Sequence, residues 1–199
     1  MEHSLQKPDY SIVIPVYFNE GALKATADKI VSDVVDKNPG LKGEIIFVDD
    51  GSGDRSLEEL LALQKERPAL VRVVKLTRNF GQVAALRAGF AQCRGRCAIA
   101  LSADGQDPPG LINEMLRAHF EEKYELVLCV REGRDESFYR RITSKAFYYL
   151  IKKLCFPSMP LGGFDYVLLG RRAIGVLLDN HEAHPFFQGQ ILWMGFKTK

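Results

Sequence analysis

The chain has 199 residues, enough for one domain with a sizeable core. Its composition, 46% hydrophobic and 26% charged, is that of an ordinary globular protein, and a formal net charge of +2 is too small to imply a nucleic-acid partner by itself, so any basic surface must be local. No run of about 18 apolar residues occurs, so no spanning helix is expected, and the polar start, Met1 to Tyr10, lacks the apolar core of a signal peptide.

The predicted elements alternate strand and helix. Ser11–Val16 is a short apolar run suited to a buried strand. Leu23, Ala27, Ile30, Val31 and Val34 follow at helical spacing until Asn38-Pro39-Gly40 stops them. Glu44–Val48 is a second strand that runs into Asp49-Asp50-Gly51-Ser52-Gly53, and a helix carrying Leu57, Leu60 and Leu61 comes next. Val71–Leu76 reads as a third strand. Gln82–Cys93 reads as a helix with Val83, Leu86 and Phe90 inward, and Cys97–Leu101 as a fourth strand, ending in Ser102-Ala103-Asp104-Gly105-Gln106-Asp107. Pro108 and Pro109 suit the first turn of a helix carrying Leu111, Ile112, Met115 and Leu116, and Leu126–Val130 is a fifth strand.

After Val130 the rhythm changes. Arg131–Ser137 is a charged loop, and Phe138–Phe156 has helical spacing, with basic side chains interleaved among tyrosines. Gly162–Leu169 reads as a turn feeding a strand and Arg171–Leu178 as a short helix; the last residues include the apolar Ile191–Met194. The pattern predicts a single α/β domain over residues 1–199, with a Rossmann-like, mostly parallel sheet covered by helices on both faces. Ligands of such sheets bind at the carboxyl ends of the strands, where the acidic Gly-rich segments fall. Cys93, Cys97, Cys129 and Cys155 lie within or beside predicted elements and read as free thiols of a reducing cytoplasm, because no second Cys/His pair stands at zinc-ligand spacing.

Asp104 and Gln106, two residues apart at a strand end, suit one site for a hard divalent cation, which takes oxygen ligands and substrate phosphates. Asp107 stands close enough to support them, or to cap the helix that follows. Asp49 and Asp50 read alone as a tight turn, with Asp54 capping the next helix. Two acidic turns at two strand ends of one sheet point instead to a shared ligand site.

Ile14-Pro15-Val16-Tyr17-Phe18-Asn19-Glu20, Val48-Asp49-Asp50-Gly51-Ser52, Arg78-Asn79-Phe80-Gly81 and Ser102-Ala103-Asp104-Gly105-Gln106-Asp107-Pro108-Pro109 together resemble the motifs of inverting family 2 glycosyltransferases with the GT-A fold. The likeness runs in order from about Ser11 to Phe196 and is strongest to the polyprenyl-phosphate branch. The resemblance implies that Pro15, Tyr17 and Glu20 line a nucleoside pocket, that Asp49 and Asp50 contact base and ribose, and that Arg78 sits beside the nucleotide. It further implies that Asp104 and Gln106 hold Mg²⁺ or Mn²⁺ and the diphosphate. Two departures stand out: Ser102 replaces a frequent Asp, and Phe18 is an additional residue between Tyr17 and Asn19.

For the acceptor the resemblance implies a polyprenyl phosphate cradled by Arg131, Arg140 and Ser144 at the cytoplasmic membrane face, with membrane segments following this chain and a homo-oligomer as a further possible state. Two alternatives stay open: a hydroxyl acceptor with Asp165 as base, and a nucleotide-binding module without turnover. No G-x-G-x-x-G follows the first strand, which disfavours a dinucleotide-binding oxidoreductase.

Overall fold

The computed structural model describes residues 7–103, 105, 107–130, 152–154, 156–157, 159–160, 163–164, 166–180, 182 and 186–199. Six strands, β1 (Tyr10–Val16), β2 (Gly43–Asp49), β3 (Val71–Lys75), β4 (Cys97–Ala100), β5 (Leu126–Cys129) and β6 (Tyr166–Gly170), form one sheet in the order β3-β2-β1-β4-β6-β5. β1 pairs in parallel with β2 and β4, and β2 with β3, whereas β6 runs antiparallel to both β4 and β5. The register sets Ala100 opposite Val167 and Cys129 opposite Tyr166, so β6 begins at the edge where β1, β2, β4 and β5 end.

Successive strand residues point to opposite faces, and the core divides accordingly. Ile12, Ile14, Ile45, Phe47 and Ile99 pack with α1 (Leu23–Ile30), α2 (Ser56–Glu66) and α4 (Leu111–Phe120). Val13, Ile46, Val48, Ala98 and Ala100 pack with α3 (Gln82–Gln92), α5 (Arg171–Asp179) and α6 (Phe187–Trp193). Both faces of the central strands are thus buried, which is why β1 and β2 read as continuous apolar runs rather than alternating ones. Each fully buried Ile, Leu, Val or Phe contributes about 1.5–3 kcal/mol. Gly89 lets α3 lie close on β1: a Cβ there would fall 2.2 Å from Val13 Cγ1.

Several elements differ from expectation in detail. The first helix changes at Val31 to π-type bonding over Val31–Val35, with the Asp36 amide donating to the Val31 carbonyl at 2.9 Å. On α2 the buried leucines are Leu60 and Leu63, and Leu61 is exposed. Pro108 and Pro109 precede α4 rather than open it; their carbonyls accept the amides of Leu111 and Ile112 in a tight lead-in turn. The apolar Ile191–Met194 proves to belong largely to a helix, α6.

Asp104, Gln106, Arg131, Arg140, Ser144 and Asp165 lie outside the described residues, as does most of Phe138–Phe156; within it Lys152–Leu154 are helical. Cys93, Cys97 and Cys129 are free thiols, as expected, and Cys155 lies outside the described residues.

Candidate functional site

A cleft of about 290 Å³ opens at the carboxyl ends of β1, β2 and β4, where the topology of an open α/β sheet places ligands. Its walls are Pro15, Val16, Tyr17 and Asn19 after β1, Asp50 after β2, Asn79, Gly81 and Gln82 entering α3, and Ser102 and Ala103 after β4. Pro15, Tyr17 and Asp50 therefore stand where a nucleotide pocket was expected. Arg78 lies beside Asn79 at the rim, with its guanidinium 4.2 Å from the Phe80 ring centroid and donating to the Asn79 carbonyl at 3.2 Å.

The loop after β1 is held by an unusual set of bonds. Its consecutive amides each donate to a side chain from the segment between β2 and mid-α2: Phe18 to Ser52 Oγ at 3.2 Å, Asn19 to Ser56 Oγ at 2.9 Å, Glu20 to Asp54 Oδ2 at 3.2 Å and Gly21 to Glu59 Oε1 at 2.8 Å. Asn19 Oδ1 accepts the Tyr17 amide at 3.0 Å. Phe18 takes a left-handed φ of 55°, uncommon for a residue with a side chain, and sets its ring edge-on to Tyr17 at 4.6 Å. Both rings are about half exposed at the mouth of the cleft.

Glu20, expected in the nucleoside pocket, is instead paired with Arg55: Oε1 lies 2.6 Å from Nε and Oε2 accepts the Arg55 amide at 3.2 Å. β1 ends at Val16, and beyond the left-handed Phe18 the Glu20 carboxylate lies at Arg55, just before α2. The Arg55 amide, then its guanidinium, holds the Glu20 carboxyl below the usual carboxylate range. Hydrogen bonds from Ser56, its side chain foremost, lower Asp54 in the same way.

Asp49 and Asp50 are both buried but do different work. Asp49 Oδ1 accepts the Ser52 amide at 3.3 Å, while Oδ2 is buried without a hydrogen-bond partner among the described residues. Asp50 accepts the Phe80 amide at 2.8 Å on one oxygen and the Gly81 amide at 2.9 Å on the other, and so clasps the start of α3. Gly51 completes this junction. At φ +71° its missing Cβ would sit 2.5 Å from the Arg78 carbonyl carbon, so the two loops meet backbone to backbone. Asp50 thus shapes the cleft wall through the 78–81 loop, a role its strand-end position did not reveal.

On the fourth-strand side, Asp107 is buried and takes the Ser102 amide at 3.4 Å, Thr26 Oγ1 donates to the Ala103 carbonyl at 3.3 Å, and the Tyr166 hydroxyl donates to the Pro108 carbonyl at 3.4 Å. Burial raises the Tyr166 phenol well above its ordinary value, so it stays a neutral donor. Among the described residues no three His, Cys, Asp or Glu side chains converge on a metal position, and the expected ligands Asp104 and Gln106 fall outside them. Gln188 on α6, which the sequence reading passed over, donates through Nε2 to the Phe164 carbonyl at 2.7 Å, just ahead of β6.

Comparison with known proteins agrees with this arrangement. The model of Glycosyl transferase family 2 matches residues 11–178. An uncharacterized glycosyltransferase of Bacillus subtilis, YkcC, is 35% identical over 94% of this chain and 57% of its own length. An undecaprenyl-phosphate 4-deoxy-4-formamido-L-arabinose transferase of Pectobacterium carotovorum is 34% identical over 88% of this chain and 53% of its own. The chain therefore spans little more than half the length of these relatives. Among solved structures, a mannosyltransferase of Pyrobaculum calidifontis in complex with GDP-Man and Mn²⁺ superposes with a TM-score of 0.68 over 96% of this chain and 54% of that one, at 17% identity, a likeness of fold.

Proposed function

The chain belongs to glycosyl transferase family 2, a GT-A enzyme fold, and from that premise we propose that it moves a sugar, with inversion, from a nucleoside-diphosphate donor to polyprenyl phosphate at the cytoplasmic face of a membrane. The observation that carries the donor half is the cleft itself: three strand ends converge on it, with Tyr17 at its mouth and α3 starting in its wall. Pro15 and Tyr17 hold the nucleoside, Arg78 reaches the nucleotide from the rim, and Asp50 fixes the loop that carries Arg78. Asp49 leaves an unfilled acceptor one residue from the cleft wall.

Ser102 and Ala103 bound the cleft and lead directly into Asp104, and the side chains on offer there supply oxygen ligands, the chemistry of a hard cation. Asp104 and Gln106 would hold Mg²⁺ or Mn²⁺, which supplies Lewis acidity toward phosphoryl oxygens. The identity of over a third with an undecaprenyl-phosphate transferase of Yersinia pestis, 35% over 92% of this chain, supports the lipid acceptor. A phosphate oxygen is already ionised near neutral pH, so it attacks the anomeric carbon without a general base while the bond to the diphosphate breaks. Arg131, Arg140 and Ser144 form the cradle that aims it, and arginine is suited to this by its forked donors.

Two measurements test the reading. Calorimetry should show nucleotide-sugar binding that weakens on chelation of divalent cations and in Asp104→Asn. Unchanged affinity in both cases would overturn the metal assignment. In the full-length protein, Arg140→Ala should lower transfer to polyprenyl phosphate about ten- to a hundred-fold, the loss of one charge-assisted bond, with donor affinity unaltered. Normal transfer by Arg140→Ala together with abolished transfer by Asp165→Asn would instead establish a hydroxyl acceptor with Asp165 as base.

A further inference from the structure

Trp193 and Leu154 are the two most exposed large apolar side chains among the described residues, at 82% and 70%. Phe156 links the two stretches that carry them. The Trp193 ring meets Phe156 edge-on at 6.5 Å, and Leu154 stands two residues before Phe156. Phe186, Gly189 and Trp193 recur at i, i+3 and i+7, which sets them on one face of α6 and its lead-in. A Cβ at Gly189 would fall 2.5 Å from the Phe186 ring and 3.1 Å from the Phe156 ring, so the glycine is what allows both rings to lie against the helix.

Charged side chains beside this surface include Glu182, whose Oε2 accepts Gln190 Nε2 at 3.2 Å, and two lysines. Lys152 and Lys153 are exposed immediately before Leu154, and Phe186–Phe196 contains no charged residue. A tryptophan with a wet edge, exposed aliphatic side chains and flanking lysines match the chemistry of a lipid headgroup interface, where Trp is enriched and Lys keeps its ammonium at the phosphates.

We propose that Trp193 and Phe186, packed about Phe156, together with the exposed Leu154 and the Lys152 and Lys153 before it, form a docking surface for an anionic lipid bilayer. The preference for a bilayer over a protein partner rests on the lipid acceptor proposed above; the surface itself stands on its exposure and charge. Docking here buries the tryptophan at the headgroup level and leaves the donor cleft, built at the ends of β1, β2 and β4, untouched.

Trp193 is the sole tryptophan of the chain and therefore reports its own environment. The test adds phosphatidylglycerol-rich vesicles containing no polyprenyl phosphate to this 199-residue chain and follows tryptophan emission. A blue shift with increased intensity is expected, weaker at high salt and much weaker with pure phosphatidylcholine. Replacing Lys152 and Lys153 by Gln should weaken partitioning about fivefold each, and Leu154→Ser should weaken it further, with unchanged melting curves because all three side chains are exposed. Emission that does not respond to saturating anionic vesicles would overturn the proposal. So would a blue shift that grows with protein concentration in the absence of lipid, which would assign the surface to a second copy. Vesicle binding without transfer to polyprenyl phosphate in the full-length protein would overturn the acceptor assignment alone.

Discussion

Asp50 offers the sharpest test of how the cleft is built. Its carboxylate accepts the Phe80 amide at 2.8 Å and the Gly81 amide at 2.9 Å, and hydrogen bonds to a charged group contribute about 1.5–3 kcal/mol each. Both bonds are only partly buried, so water replaces some of what Asp50→Ala removes, and the expected loss is about 2–4 kcal/mol rather than the full sum. Asp50→Asn keeps one acceptor oxygen but turns an NH₂ toward the other amide, and should cost about as much as one lost bond. For a domain of this size 1 kcal/mol moves the melting point by roughly 2–4 °C, so Asp50→Ala should melt about 5–15 °C lower.

The assay separates a structural clasp from a direct ligand contact. A clasp predicts a lower urea midpoint, faster hydrogen exchange at the amides of Phe80 and Gly81, and weaker nucleotide binding as a consequence. Gly51→Ala should reproduce all three effects through backbone collision at the same junction, because its Cβ would lie 2.5 Å from the Arg78 carbonyl carbon and its φ of +71° is left-handed. An Asp50→Ala protein with wild-type stability, wild-type exchange at Phe80 and Gly81, and lost nucleotide affinity would refute the clasp and return Asp50 to the ligand.

Arg87 on α3 donates to the carbonyls of Leu177, Leu178 and Asn180 at 2.7, 3.2 and 2.6 Å and so satisfies the end of α5; Arg87→Ala should cost about 2–4 kcal/mol in denaturant unfolding, with the Lys variant rescuing only part. Burial pushes the Cys129 thiol up to about 11 and the Tyr10 phenol to about 12, and raises Cys93 and Cys97 as well. Folded-state values above the unfolded ones mean that these groups ionise first in the unfolded chain, so stability should fall as the pH rises above about 9, the ordinary thiol value, and alkylation of the native thiols at pH 8 should be far slower than in urea.

The strands of the sheet centre were legible because β1 and β2 are buried on both faces and must be apolar at every position, a demand that leaves a plain run in the sequence. The direction of β6 was not. Tyr166–Gly170 is apolar throughout, and such a run pairs equally well either way; the antiparallel sense comes from its bonds to β4 and β5. The sequence offered Leu57, Leu60 and Leu61 on α2, and packing against the sheet instead buries Leu60 and Leu63. α6 escaped because Gln188, Gly189 and Gln190, all buried, interrupt the apolar pattern that would announce a helix. Pro15, Tyr17 and Asp50, singled out by their motifs, line the cleft. The partners of the loop after β1 were not legible, since Ser52, Asp54, Ser56 and Glu59 stand 34 to 38 residues away from the amides they hold.

The inverted strand has a consequence for how the two halves of the site are joined. Because β6 runs against its neighbours, its first residue rather than its last lies at the edge where β4 and β5 end. Tyr166 then bonds the Pro108 carbonyl of the segment after β4, and the Phe164 carbonyl is held by Gln188 from α6. Tyr166 and Phe164 are thus each held, one by the segment after β4 and one by a helix that carries the exposed Trp193. Side chains five positions apart on a helix lie well apart around its axis, so Gln188 can point inward to the turn while Trp193 stays in solvent. The Gln188 bond therefore ties the helix that carries Trp193 to Phe164, two residues before β6. If the acceptor is the polyprenyl phosphate proposed above, this link would tie the depth of a seated Trp193 to the position of the cleft.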